Sequence, residues 1–123
     1  MVFMDMNAIS WIESRHNQYA HRHVLQDESW GEYQVTQVVL DEYNTHHGTE
    51  YQSKDLYNRN IGFKIAHWYM DIRIPRLLRH YGIQDTIDNR LICWNGGIRA
   101  AIHHHLSRIT QRYIKQYHAM EVI

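Results

Sequence analysis

At 123 residues and 14.9 kDa the chain is long enough for one sizeable core and too short for a second domain. Its 44% hydrophobic and 21% charged residues, with one Pro and six Gly, are those of a globular protein and exclude linker-rich, low-complexity or disordered classes. Net charge is zero but uneven: residues 1–61 carry 4 Lys/Arg against 9 Asp/Glu, and residues 62–123 carry 9 against 4.

A first helix is expected to begin near Asn7, a good N-cap type, with Ala8, Ile9 and Ile12 forming an apolar stripe beside Trp11. Glu13 sits at the edge of that stripe. A carboxyl there is poorly solvated, which favours its protonated form and suits a general acid. The plainer alternative is a solvated glutamate paired with Arg15 or His16. Asn17 to Trp30 is polar without sustained period and reads as a loop, and Tyr33 to Val35 as a brief extended piece. A second helix is expected from a Thr36 cap to Gly48, with Val38, Val39 and Tyr43 inward.

Tyr51 to Asn58 reads as polar connection. A long helix follows from Asn60 to His80, with Ile61, Ile65, Trp68, Tyr69, Ile72, Leu77 and Tyr81 inward, kinked or split near Ile74 by Pro75, its second piece ended by Gly82. Asp85 or Thr86 caps another helix carrying Ile87, Leu91, Ile92 and Trp94 inward and closed by Gly96 and Gly97. The last helical region breaks around Leu106 to Ile109 and resumes from Thr110 through Ala119. No segment alternates like a long strand, so the class is all-α or nearly so, a single domain of about six helices with a short extended hairpin or loop.

Arg73, Arg76, Arg79, Arg90, Arg99, Arg108 and Arg112 are spread along these helices, which reads as a solvated face and predicts no nucleic-acid partner. With 11 His the protein turns cationic near pH 6, strengthening attraction to an anionic polymer. One cysteine, Cys93, excludes an internal disulfide and a multi-thiolate metal site, and reads as a buried hydrophobe. No apolar run approaches the roughly 20 residues of a membrane span. The first six residues, Met-Val-Phe-Met-Asp-Met, have no secretory-signal pattern. His103, His104 and His105 would point about 100° apart on a helix, so no metal site is expected there, and no cofactor motif appears.

Three fragments carry a joint signal: Glu13-Ser14-Arg15, then Ser29-Trp30-Gly31-Glu32-Tyr33-Gln34-Val35, then Cys93-Trp94-Asn95-Gly96-Gly97. In order and spacing they resemble the motifs of the soluble lytic transglycosylase family of the goose-type lysozyme group: Glu-Ser-Arg, Gly-Leu-Met-Gln with a following aliphatic, and Ala-Tyr-Asn-Ala-Gly. Leu106, Thr110 and Tyr113 resemble its Leu-Pro-X-Glu-Thr-X-X-Tyr segment, and Asn60-Ile61 with Trp68-Tyr69 its Asn-Ile…Trp-Tyr-Leu helix. The resemblance runs from about Ala8 to Tyr117.

It implies a lysozyme-like fold with the hairpin or loop beside an active-site cleft, acting on peptidoglycan glycan strands. Glu13 would be the single catalytic acid and base. Ser29, Gly31, Tyr33, Gln34, Trp94, Asn95 and Tyr113 would bind substrate, with no metal or cofactor. Gln34 and Asn95 are neutral amides able to donate to sugar groups and accept from them, or else plain turn and cap amides. Tyr113 would orient the acid or stabilise developing charge; as an isolated helix residue it reads as core. Glu13 would protonate the bridging oxygen between MurNAc and GlcNAc, the substrate's N-acetyl carbonyl would attack C1, and Glu13 would then deprotonate the C6 hydroxyl to leave a 1,6-anhydro end.

There are departures. Trp94 stands where the family has Tyr, Glu32-Tyr33 replaces Leu-Met, and Pro-Ser-Thr is missing after Gln34. The alternatives are a hydrolytic muramidase using Asp27 or Glu28 as second carboxylate, a non-catalytic wall-binding or structural protein keeping the fold, and a nucleic-acid binder using the basic half. An unsignalled lytic domain is expected to work in the periplasm or wall as a phage virion component, or to be delivered by other phage or secretion-system proteins.

Overall fold

A computed structural model describes residues 3–24 and 27–120, the side chains of Val24 and Asp27 excepted. The chain is mostly helical with one small three-stranded sheet. It divides into two units, Asp5–Tyr69 and the described part of Met70–Ile123 together with Phe3 and Met4.

In the first unit, α1 is Met6–Ser14, and its cap is Asp5, not Asn7. The Asp5 carboxylate accepts from the backbone N–H groups of Asn7 and Ala8, and the earlier start buries Met6 alongside Ala8, Ile9 and Ser10. Asn17 to Trp30 is not a plain loop. It contains β1, His21–Val24, and β2, Asp27–Trp30, paired antiparallel with His21 opposite Trp30 and His23 opposite Glu28. A short β3, Val35–Thr36, pairs with β2. His21 stacks on Trp30 with the rings 8° from parallel. A ladder polar on both faces has no apolar alternation, which hides it from a period-two pattern.

Helix α2, Gln37–His47, begins after Thr36 and ends at left-handed Gly48, as expected. It buries Val39, Leu40 and Tyr43 while Val38 faces out at 65% exposure, because neighbours on a helix diverge by about 100° and cannot share one inward line. Within the Tyr51 to Asn58 connection, Ser53–Tyr57 winds into a 3-10 helix that buries Leu56, with Gln52 N–H donating to the Asp55 carboxylate. Asn58 then caps α3, Arg59–Trp68, which buries Ile65, Ala66 and Trp68.

The long helix is split at Ile74, as Pro75 leads one to expect, but through a π-helical turn, Tyr69–Arg73, that joins α3 to α4, Ile74–His80. Pro75 has no N–H for the carbonyl four residues back; placed in the first turn of α4 its missing donor costs nothing. The wider turn shifts the pattern's phase. In the second unit Met70, Asp71, Ile74, Pro75 and Leu78 are buried, whereas Ile72 and Tyr81, expected inward, are exposed.

Thr86 caps α5, Ile87–Gly96, its hydroxyl accepting from Asn89 N–H; Leu91, Ile92 and Cys93 are buried and Trp94 is half-buried. Asp85 serves Arg90 instead, accepting from Nε at 2.6 Å and Nη2 at 2.9 Å, while Arg90 Nη1 donates to Asp71 at 2.9 Å. Asp71 also accepts from Met4 N–H. Arg90 is therefore buried, not part of a solvated face. Asp85's hydrogen bonds outweigh desolvation and hold the guanidinium pKa above its ordinary value. A short α6, Ile98–His103, ends at left-handed His104. Helix α7, Arg108–Met120, starts two residues before the expected Thr110, since the Ser107 hydroxyl accepts from Thr110 N–H.

Among the described residues no helix is long and apolar enough to cross a membrane.

Candidate active site

Glu13 is half-buried in the last turn of α1, between two serines that both reach Glu32. Ser10 Oγ donates to Glu32 Oε2 at 2.5 Å and Ser14 Oγ to the Glu32 carbonyl at 2.6 Å. Beyond Ser14 the helix exits through two consecutive left-handed residues, Arg15 at φ 54° and His16 at φ 65°. Non-glycine residues there cost about 1–2 kcal/mol each, so the exit has to be held. Of the residues that follow Glu13, Arg15 lies over the Trp11 ring, and His16 Nδ1 is 2.7 Å from Ser10 Oγ. Ser10 gives its one proton to Glu32, so Nδ1–H donates to the serine oxygen.

On the other side of Glu32, Arg59 Nε lies 3.3 Å from Oε1, and Arg59 Nη2 donates to the His16 carbonyl at 3.0 Å. The Glu32 side chain is only 12% exposed. Sequence reasoning sees Glu32 as a departure from an apolar position, and it has no signal for Ser10 or Arg59 as partners, because only folding brings those segments together.

Ser29, Gly31 and Gln34 form one hydrogen-bonded turn. Gln34, at φ 51°, accepts from Ser29 Oγ at 2.7 Å and donates to the carbonyls of Gly31 at 2.9 Å and Ala20 at 3.3 Å. Its amide thus holds the turn after β2. Gly31, at φ 82°, has the carbonyl oxygen of Leu56 only 2.2 Å from where a Cβ would stand, so no other residue fits this approach. Tyr33 is buried beside Phe63. Burial, followed by the neighbouring Glu32 charge, pushes its phenol up to about 12 against the opposing pull of Arg59. It is a neutral, packed phenol at physiological pH.

The other predicted residues lie in the second unit. Asn95 Oδ1, near the end of α5, accepts from Thr110 Oγ1 of α7 at 2.7 Å, and Thr110 accepts from Ser107 Oγ at 3.0 Å. This chain fixes which end of the amide is oxygen. Tyr113 is buried on α7 three residues further on, and Trp94 is half-buried beside Asn95.

Of the expected second carboxylates, the Asp27 side chain lies outside the described residues. Glu28 is spent on its own hairpin, 3.0 Å from His21 Nε2 and 3.1 Å from His23 Nδ1. The hydrogen bond from His21, more than any other contact, holds its carboxyl below the ordinary carboxylate value. Among the described residues no group of three or more His, Cys, Asp and Glu is disposed to hold a metal ion. No family model, curated protein or solved structure matches the chain.

Proposed function

We propose that the protein is a peptidoglycan lytic transglycosylase of lysozyme-like fold, with Glu13 as its single catalytic acid and base. The observation that carries the reading is the ordered set of Glu13-Ser14-Arg15, Gly31 with Gln34, Trp94-Asn95 and Tyr113, met on a helix end, a post-hairpin turn, a second helix end and a late helix. Glu13's half-burial at the exit of α1 is compatible with a carboxyl partly withdrawn from water yet open to a substrate. Glu28 and Glu32 are both engaged by neighbours, which counts against either as the second carboxylate of a hydrolytic scheme.

In this reading Glu13 donates its proton to the bridging oxygen as the C1–O bond breaks and the N-acetyl carbonyl oxygen bonds to C1. The Glu13 carboxylate then takes the proton of the C6 hydroxyl, whose oxygen displaces the acetamido oxygen from C1. The amide is restored and the 1,6-anhydro ring closes.

Digestion of purified peptidoglycan by wild type and Glu13→Gln, with soluble muropeptides identified by mass spectrometry, tests this. Anhydro ends from wild type alone are expected. Reducing ends would select a muramidase, and no product from wild type would leave a binding or structural protein.

A further inference from the structure

The lysozyme-group resemblance calls for an apolar residue where this chain has Glu32, yet Glu32 is tied to α1 and α3 by several polar contacts. Ser10 grips one carboxylate oxygen and Arg59 the other, Ser14 grips the same residue's carbonyl, and Arg59 also holds the carbonyl of His16. All four contacts fall on the segment 10–16 or on the cation that pins it, and Glu13 is in the middle of that segment. Ser10 and Glu13 are three apart on the helix, hence neighbours on its surface. The charged and titratable groups facing the Glu32 carboxylate are His16 from the α1 exit, Arg59 from α3 and the adjacent Tyr33 phenol.

We propose that Glu32 is a positioning residue for Glu13: clamped between Ser10 and Arg59, it fixes the strained exit of α1 and so sets where the Glu13 carboxyl stands. The inference rests on the transglycosylase reading for its consequence in turnover, and on the geometry of one unit for its existence. Glu32 does not touch substrate in this scheme.

The test compares wild type, Glu32→Gln and, should that variant fail to fold, Arg59→Gln at the exposed end of the clamp. Three measurements are made: turnover of soluble glycan strands, co-sedimentation with insoluble peptidoglycan, and the titration of the Glu13 carboxyl by 13C NMR, assigned with Glu13→Gln. Glu32→Gln is expected to lower kcat about tenfold or more while co-sedimentation is unchanged, with the Glu13 titration changed from that of wild type. Arg59→Gln is expected to lower kcat in the same way. A variant with wild-type kcat and an unmoved Glu13 titration overturns the proposal. So does loss of kcat, binding and thermal midpoint together with Glu13 unmoved, which marks a merely structural residue. If wild type releases no muropeptide, the transglycosylase reading fails by itself, and the Glu13 titration alone decides whether Glu32 positions it.

Discussion

Each unit holds a charged side chain largely withdrawn from water, Arg90 in one and Glu32 in the other, and the two are held differently. Arg90 is 3% exposed and answered by two carboxylates, Asp85 in a two-pronged grip and Asp71 beneath. Glu32 is answered by a serine hydroxyl, an imidazole relayed through that serine, and Arg59, which is itself 57% exposed. A fully buried charge neutralised by opposite charges resists change, because any loosening strands an ion in a dry interior. A charge held by a hydroxyl and a solvent-facing cation has water at hand to replace a lost partner, so a change there costs less.

The largest expected effect is at the rigid hub. Arg90→Ala leaves Asp71 buried with its main cation gone and should cost about 3–5 kcal/mol in urea unfolding. Glu32→Gln keeps the shape and loses charge-assisted bonds, for about 1–2 kcal/mol. Equal losses at the two positions would erase the contrast between them. Gly31→Ala, which drives a Cβ into the Leu56 carbonyl at a left-handed position, should cost about 2–3 kcal/mol. A thermal midpoint within a degree of wild type would show that the turn around Gln34 is not rigid.

The smallest effect is in the hairpin. Glu28's folded pKa is depressed below its ordinary 4.5. Its contribution is therefore full above that value and lost as pH falls through the lower folded one. Sitting at the surface of the hairpin, it should leave global unfolding untouched. Protonation there should weaken the link to His21 and His23 locally, seen as carboxyl and imidazole NMR shifts below pH 4.5. Shifts that instead follow cooperative unfolding would tie the hairpin to the core.

Much of the helical frame was legible from local chemistry. Gly48 and Thr86 mark helix ends because a cap is satisfied within one turn of its own residue, Thr36 marks one by its extended backbone alone, and Cys93 is buried on an apolar face as its neighbours suggest. The start of α1 moved to Asp5 because both residues can cap and burial of Met6 decided between them. The hairpin was hidden by its two polar faces, and the inward positions after Trp68 were lost at the π turn, whose extra width no periodicity announces.

By itself the sequence determined the helical class, most helix ends and the ordered fragments on which the functional reading rests, since each depends on residues within a few positions of one another. Only the tertiary structure decided that Gln34 spends its amide on its own turn, that Arg90 is interior, and that Glu32 reaches back to the helix of Glu13. A charged side chain looks alike in sequence whether water or a distant partner solvates it, and only the folded chain determines which.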